Sequence, residues 1–200
     1  MRTFTTDRLI LRPLTWNDLD FLQKLHDDPD VVRYIGYGKP RTEAENRKVI
    51  ESTLAAYASD GLGHLAISLK EPEVLIGRCG LSLVEMEATP KGDEGPQCFW
   101  NRGSAPDGMD IIHRFELGYT LAQEFWGQGY ATEATRAIRD YGFQDRQEDQ
   151  LIAAIFPENI ASQNVARKLG FSTSKKIVAF GQSAELWELE RSEWEHLASR

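Results

Sequence analysis

The pattern of hydrophobic and polar positions predicts a strand and two helices in the first sixty residues. Residues 9–14 form an apolar run interrupted by Pro13, as expected of a first strand. Apolar residues then recur at helical spacing after Thr15 until Asp27-Asp28-Pro29 stops the helix. Residues 29–40 lack periodicity and are expected to be irregular. Thr42, with Glu45 three positions on, predicts a capping box and a second helix to about residue 59.

The next segment predicts an antiparallel hairpin. Residues 64–70 and 74–84 are strand-like and are separated by a short turn at Glu71-Pro72-Glu73. Gly77 and Gly80 lie inside the second strand, where glycine indicates a bulge or a close approach of another backbone.

A long loop is predicted at about residues 86–113. The segment is rich in glycine and proline and has no sustained periodicity, which is typical of a loop. Loops of this length inside a compact domain are usually functional or mobile. Two interpretations stay open: the loop folds over a binding pocket, with Phe99, Trp100 and Arg102 as its most contact-prone residues, or it is a solvated surface insertion.

The second half predicts a strand–helix–strand unit followed by a helix and two strands. Residues 114–121 alternate, the following segment to about residue 145 is helical, and residues 151–156 form an apolar run typical of a buried strand. Such a unit implies parallel pairing with a right-handed crossover. The complete order is β-α-α-β-β-β-α-β-α-β-β, with a short closing helix. We therefore expect an α/β fold (α+β in some schemes) with a mixed, largely antiparallel central sheet, in one domain over residues 1–200.

Composition and charge exclude several classes of protein. The chain is 41% hydrophobic and 27% charged, which indicates a folded globular protein rather than a disordered one. No apolar run is long enough to cross a bilayer, and two cysteines without metal-ligand spacing favour reduced thiols in the cytoplasm. A net charge of −8 argues against a nucleic-acid surface and fits a cationic substrate better.

The candidate chemistry centres on the glycine hinge that joins the fourth strand to its helix. Gly127 and Gly129 allow a tight turn directly before a helix. The first turn of a helix has unpaired N–H groups and the positive end of the helix dipole, so the hinge predicts a phosphate site. An ordinary strand-to-helix turn is the alternative. A P-loop or kinase-type nucleotide site is disfavoured because Gly-x-x-x-x-Gly-Lys-Ser/Thr and a following Asp-Phe-Gly are absent.

Three segments together resemble the GNAT superfamily of N-acetyltransferases, and within it the RimJ/RimL-like branch that acetylates ribosomal-protein N-termini. They are residues 116–119 (ELGY), 126–134 (WGQGYATEA) and 159–171 (NIASQNVARKLGF). Gly129 and Ala131 match the last fixed positions of the family's Gln/Arg-x-x-Gly-x-Gly/Ala loop. Trp126 stands where Gln or Arg is usual, a substitution common in this branch. The resemblance runs from Thr6 to about Leu197.

The resemblance implies the GNAT fold, acetyl-CoA as cosubstrate and no metal. It assigns donor binding to the hinge amides, to the fourth strand and to two asparagines: Gln128, Gly129, Tyr130, Ala131, Thr132, Leu117, Tyr119, Leu121, Asn159 and Asn164. It also implies that the first two helices and their loop form one wall of the acceptor site. Tyr34 and Tyr37, with Trp100 from the insertion, are the candidate substrate contacts; alternatively, the two tyrosines are loop aromatics that cover the core.

Two residues are candidates for proton transfer. Glu116 lies about where the family often keeps an acidic group, and burial would raise its pKa toward that of a useful base. Alternatively, it only orients substrate or pairs with Arg114. The tyrosine that many relatives use as the acid is Ala166 here, whereas Ser162 matches the serine of the ribosomal-protein branch. A helix N-terminal cap is the alternative role for Ser162.

The predicted function is transfer of the acetyl group of acetyl-CoA to a primary amine by direct attack in a ternary complex. The acceptor is a small molecule or a peptide, such as a protein N-terminus, and neither nucleic acid nor membrane is a partner. A non-catalytic acyl-CoA-binding or regulatory domain on the same fold is the alternative. Homodimers are frequent in this branch.

Overall fold

The computed structural model describes residues 2–90, 92–100 and 102–199. The strands and helices are, in chain order, β1 (Phe4–Thr5), β2 (Leu9–Pro13), α1 (Leu19–Asp27), α2 (Pro29–Val32), α3 (Glu43–Ser59), β3 (Gly63–Leu69), β4 (Leu75–Glu87), β5 (Gln97–Phe99), β6 (Ile111–Leu121), α4 (Tyr130–Gln144), β7 (Gln150–Ile155), α5 (Ile160–Leu169), β8 (Ser172–Ala179), β9 (Gln182–Glu190) and α6 (Arg191–Ala198). They form two compact units. The first unit contains the described residues up to Leu81 and Gly118–Ile138, and the second contains Ser82–Leu117 and the described residues from Arg139 onward.

The first unit is built on an antiparallel ladder in which β1 to β4 pair in chain order. Its core contains apolar side chains from β3 and from all three helices between β2 and β3, because the alternation of β3 and the helical spacing of leucines direct one face of each element inward. The buried members are Leu14, Leu22, Leu25, Val31, Ile50 and Ala66.

Two glycines of β4 confirm the predicted close approach of neighbouring backbone. A Cβ on Gly77 would lie 2.2 Å from the carbonyl oxygen of Thr120, and a Cβ on Gly80 would lie 2.2 Å from that of Gly63. These distances are far below van der Waals contact, so no other residue fits either position without a shift of the backbone.

The second unit contains a mixed ladder in the order β4-β5-β8-β9-β7-β6. The β5–β8 and β6–β7 pairs are parallel and the others are antiparallel. Glu116 lies opposite Ile152, which confirms the parallel strand–helix–strand unit. The buried core residues are Val84, Met86, Cys98, Ile152, Ile177, Ala179, Ala184 and Leu186.

Most predicted elements are confirmed, including the fold class with its mixed, largely antiparallel strands. The β3–β4 hairpin is present, Thr42 and Glu45 form the capping box of α3, and Gly170 ends α5 with φ +94°. The prediction of a single domain over residues 1–200 stays a prediction. Among the described residues, no helix is both long and apolar enough to span a membrane.

Two loop predictions were wrong in part. Residues 29–32 are helical because the Asp28 carboxylate accepts hydrogen bonds from the first N–H groups of α2. In the 86–113 segment, β4 continues to Glu87, β6 begins at Ile111, and β5 pairs with β4 and β8. A three-residue strand has no detectable periodicity, so only its partners reveal it. Lys91 and Asn101 lie outside the described residues of this segment.

Candidate active site

The glycine hinge of the first unit has the geometry expected of a phosphate-binding turn. Gly127 and Gly129 have φ values of +72° and +83°, a region that glycine enters without strain. Helix α4 begins at Tyr130, and the Glu133 N–H donates to the Gly129 carbonyl over 3.0 Å. The N–H groups of Tyr130, Ala131 and Thr132 precede this bond and have no acceptor within the helix, so they can bind an anion.

The side chains of Trp126 and Gln128 hold this turn by hydrogen bonds to nearby carbonyl groups. Its indole N–H donates to the Leu121 carbonyl over 2.8 Å, and the side chain is 45% exposed. The side chain of Gln128 donates to the carbonyl of Glu124 over 2.9 Å. The first bond ties the loop to the end of β6 and the second ties it to the turn that follows, which together fix the path of the backbone between strand and helix.

Arg8 is a further residue of this loop that sequence reasoning missed. The Glu133 carboxylate accepts from the Thr6 hydroxyl (2.6 Å), the Arg8 backbone N–H (2.8 Å) and Arg8 Nε (2.7 Å). Arg8 Nη1 donates to the Gln128 carbonyl over 3.0 Å, and the guanidinium lies 4.3 Å from the centroid of the Tyr130 ring. Since Arg8 precedes this loop by more than a hundred residues, no local pattern connects the two.

These contacts hold a positive charge beside the hinge amides. Partial burial acts to raise the pKa of Glu133, but the hydrogen bonds from Thr6 and Arg8 outweigh it and hold that pKa below its ordinary value. Glu133 is therefore ionised and fixes the Arg8 side chain, which stays 46% exposed. An accessible guanidinium next to helix N–H groups is well suited to a pyrophosphate.

The side chains of β6 that were predicted to bind the donor are buried or partly buried. The side chains of Leu117 and Leu121 are buried at 6% and 4% exposure, so they belong to the core of their units, and Tyr119 is partly buried. Their predicted role in binding the pantetheine arm therefore depends on main-chain N–H and carbonyl groups, and it stays a prediction.

In the second unit, Glu116 has the surroundings of a base with a raised pKa. Its carboxylate accepts hydrogen bonds from the indole N–H of Trp100 and from the backbone N–H of Ala154, the latter over 3.3 Å. Burial raises the pKa of Glu116 above its ordinary value, although both hydrogen bonds act in the opposite direction. The suggested ion pair with Arg114 is not formed: the carboxylate of Glu116 accepts from Trp100 and Ala154, whereas Arg114 Nη1 donates to the carbonyl of His113.

Trp100 is placed as a partner of Glu116. Its ring stacks on that of Phe180 with centroids 4.3 Å apart and an interplanar angle of 17°. The stacking fixes the direction of the indole N–H, so this part of the predicted insertion positions a carboxylate. Its predicted contact with substrate stays a prediction.

Helix α5 shows that its cap is Asn159, which corrects the alternative role suggested for Ser162. The Asn159 side chain accepts from the Ser162 backbone N–H over 3.1 Å, so Ser162 lies inside the first turn. Asn164 is exposed, and its side-chain oxygen accepts from Arg167 over 2.9 Å. Ala166 is buried at 5% exposure, and no hydroxyl stands at that position.

The two predicted acceptor tyrosines follow α2 in the first unit. Tyr37 is 73% exposed, so its alternative role as a cover for the core is wrong. Tyr34 is partly buried, and the guanidinium of Arg33 lies 5.9 Å from its ring centroid. Their contact with an acceptor stays a prediction.

Metal-ligating side chains do not converge in the described ranges. Within residues 2–90, 92–100 and 102–199, no group of three or more His, Cys, Asp or Glu side chains is placed to hold a metal ion. Cys79 and Cys98 are free and buried, and burial raises the pKa of both thiols.

Comparison with known proteins places this geometry in a family. Residues 8–172 match the acetyltransferase (GNAT) domain family. The chain is 28% identical to an uncharacterized N-acetyltransferase, p20, of Bacillus licheniformis, over 86% of this chain and 83% of that protein.

Solved structures share the fold of this chain. An acetyltransferase of Agrobacterium tumefaciens str. C58 superposes with a TM-score of 0.71 at 24% identity over 95% of both chains. RimL, a ribosomal alpha-N-protein acetyltransferase solved in complex with coenzyme A, superposes with a TM-score of 0.70 over 94% of this chain and 98% of that one. At 13% identity, RimL shares the fold, and the ribosomal branch stays a prediction. The family match over most of the chain, with the glycine hinge inside it, shows that this protein belongs to the GNAT acetyltransferase family.

Proposed function

We propose that this protein is an acetyl-CoA-dependent N-acetyltransferase that acts on a primary amine. The observation that carries the proposal is the hinge at Gly127–Gly129. Here the first-turn N–H groups of α4 lie next to the Arg8 guanidinium, which donates to the carbonyl of Gln128. This combination of oriented N–H dipoles and a fixed cation suits the pyrophosphate of coenzyme A. The family membership supports acetyl-CoA as the donor.

The proposed reaction is a direct transfer within a ternary complex. The neutral amine attacks the carbonyl carbon of the thioester, the C–N bond forms, and the C–S bond breaks with its electron pair leaving on sulfur. One proton leaves the amine and one proton reaches the thiolate, so the products are an N-acetylated amine and the free thiol of coenzyme A.

Glu116 is the proposed base and Ser162 the proposed hydrogen-bond donor to the leaving sulfur. A primary amine is mostly protonated at neutral pH, so a group of raised pKa must accept its proton, directly or through water. Burial gives Glu116 such a pKa. Because Asn159 supplies the cap of α5, the Ser162 hydroxyl is not needed for that role.

A non-catalytic acyl-CoA-binding or regulatory domain is the second candidate function. Ala166 favours it, since a buried methyl group stands where many relatives have a tyrosine. The hydrogen-bonded Glu116 favours catalysis, because a binding module needs no carboxylate of raised pKa. The acceptor in the catalytic case is a protein N-terminus, as in the RimJ/RimL-like branch, or a small amine.

The test measures thiol release from acetyl-CoA with a chromogenic disulfide across a panel of amines and N-terminal peptides. Glu116→Gln and Ser162→Ala are compared with Glu43→Gln, a surface carboxylate that is 63% exposed and pairs with Arg47. Loss of turnover in the first two variants alone supports the proposal. If acetyl-CoA binds in calorimetry but no amine gives turnover, the non-catalytic acyl-CoA-binding domain becomes the better-supported function. Failure to bind acetyl-CoA would overturn both functions.

A further inference from the structure

Four basic side chains of the first unit lie close enough to act electrostatically on one another. They are His26 of α1, Arg41 before α3, His64 of β3 and Arg78 of β4. In the β3–β4 ladder, His64 lies opposite Gly80 and Ala66 lies opposite Arg78, so the alternation of the strands places His64 and Arg78 on the same face. The backbone N–H of Arg41 donates to the His26 carbonyl over 3.2 Å, which brings the loop before α3 to α1.

Three nitrogen atoms of this basic cluster are buried without a hydrogen-bond partner. They are Nε2 of His26, Nδ1 of His64 and Nε of Arg78. His26 has 0% exposure and uses Nδ1 toward the Asn46 side chain, and Arg78 has 8% exposure. Most buried polar groups in native proteins have a partner, and three such groups in one place indicate a missing polar ligand.

The charges that act on these groups are almost all positive. Burial first, and then the charges of Arg78 and Arg41, lower the pKa values of both histidines, to about 3 for His26. Burial, followed by the charge of Arg41, lowers the pKa of Arg78 to about 9. Among the described groups that act on these four side chains, Glu45 is acidic, but it acts on Arg41 and is already held by the Thr42 cap.

A buried arginine without a carboxylate is costly, and a hydrophobic residue of similar size would be more stable in its place. An anion that binds there would neutralise the charge of Arg78 and would explain why a buried arginine lies beside two histidines. The Arg78 guanidinium, whose Nε–H has no acceptor, matches a carboxylate, which accepts hydrogen bonds on both oxygens.

We propose that the basic cluster of His26, Arg41, His64 and Arg78 binds a carboxylate carried by the amine acceptor. The cluster adjoins β6, because a Cβ on Gly118 would lie 3.2 Å from the ring of His64. This inference rests on the proposed acetyltransferase function and narrows it: the preferred acceptor is an amine that also has a carboxylate, and the lone amine is the poorer substrate.

The binding test uses acetate as the probe and needs no turnover. The NMR signals of the His26 and His64 rings and the Tm are followed as acetate is added at constant ionic strength. For the wild-type protein, acetate should shift both ring signals and raise the Tm. Arg78→Met should abolish the Tm response and should raise the Tm measured without acetate, since it removes an unpaired buried charge.

Arg12→Met is the matched control. Arg12 belongs to the same ladder but forms two hydrogen bonds with Asp18, of 2.8 and 2.7 Å. This variant should lower the Tm and keep the response to acetate. If acetate shifts neither ring signal, or if Arg78→Met and Arg12→Met respond alike, the anion site is refuted even if the protein is an acetyltransferase.

The activity test compares each acceptor acid with its amide, such as an amino acid with its carboxamide and an acidic peptide with its amidated form. Wild-type kcat/KM should be roughly 10- to 100-fold higher for the acid, the size of one charge-assisted hydrogen bond, and Arg78→Met should remove the preference. Equal kcat/KM values for an acid and its amide would overturn the inference, whereas the proposed acetyltransferase function would still be supported. If no acceptor in the panel turns over, the acetate result decides the inference alone.

Discussion

The indole N–H of Trp100 lowers the pKa of Glu116, so its removal should move the pH range in which the protein is active. Hydrogen bonding to the ionised carboxylate favours that form, and its loss raises the pKa of Glu116. A hydrogen bond to a charged group contributes about 1.5–3 kcal/mol, and one pKa unit corresponds to about 1.36 kcal/mol. Trp100→Phe should therefore raise this pKa, and the lost free energy corresponds to a roughly 10- to 100-fold lower kcat/KM at acidic pH.

The Trp100→Phe substitution is chosen to keep the aromatic contact with Phe180. Phenylalanine keeps a ring against Phe180, whose centroid lies 4.3 Å from that of Trp100, and removes only the indole N–H. A base must be ionised to accept a proton, so kcat/KM should fall at acidic pH and return to the wild-type plateau at alkaline pH. The measurement is the pH profile of kcat/KM for thiol release with one amine acceptor.

Trp187→Phe is the matched control for this experiment. Trp187 belongs to the same unit, is buried at 2% exposure, and donates its indole N–H to Glu185 over 3.1 Å. Removal of the Trp187 indole N–H should leave the acidic limb of the kcat/KM pH profile unchanged. An acidic limb that does not move in Trp100→Phe, or that moves equally in both variants, would refute Glu116 as the group that titrates.

Three further predictions concern the donor loop, the leaving group and the packing of β4. Arg8→Met should raise the KM for acetyl-CoA by about 10-fold or more with little change in kcat, since it removes a cation beside the loop; an unchanged KM in steady-state kinetics would contradict that role. Ser162→Ala should lower kcat by about 10-fold or more, whereas the Tm in circular dichroism should hold because Asn159 caps α5; a fall in Tm with normal kcat would make the hydroxyl structural. Gly77→Ala should lower the free energy of unfolding by about 3 kcal/mol, because the new Cβ would lie 2.2 Å from the carbonyl oxygen of Thr120. A urea midpoint equal to that of the wild type would contradict this, since it would show that the backbone moves apart at no cost.

Local features of the fold were predictable because they depend on residues a few positions apart. The Thr42–Glu45 capping box and the glycine cap at Gly170 satisfy backbone groups within one turn of chain, and the hinge at residues 126–134 depends on two glycines next to a helix start. The spacing of apolar residues likewise predicted the strand and helix order, since period alone distinguishes the two. Family resemblance then extended these signals to a donor site.

Contacts between distant positions required the tertiary structure. The three-residue strand β5 was hidden until its partners in β4 and β8 were known. Arg8 and Glu133 are 125 positions apart, and Trp100 meets Glu116 across the end of the predicted loop. Each pair depends on how strands align, and strand alignment is set by packing rather than by local preference.

The basic cluster shows the limit of composition most clearly. A net charge of −8 favoured a cationic substrate, yet His26, His64 and Arg78 gather in a buried region where the acting charges are positive. Net charge describes the whole chain, whereas binding depends on the few charges within reach of a ligand in a poorly hydrated place. The sequence by itself determined the fold class, the capping box of α3, the glycine that ends α5 and the glycine hinge before α4. The tertiary structure alone decided which side chains share a site. Their electrostatic interactions become strong only in the low dielectric of the folded interior, which the unfolded chain does not have.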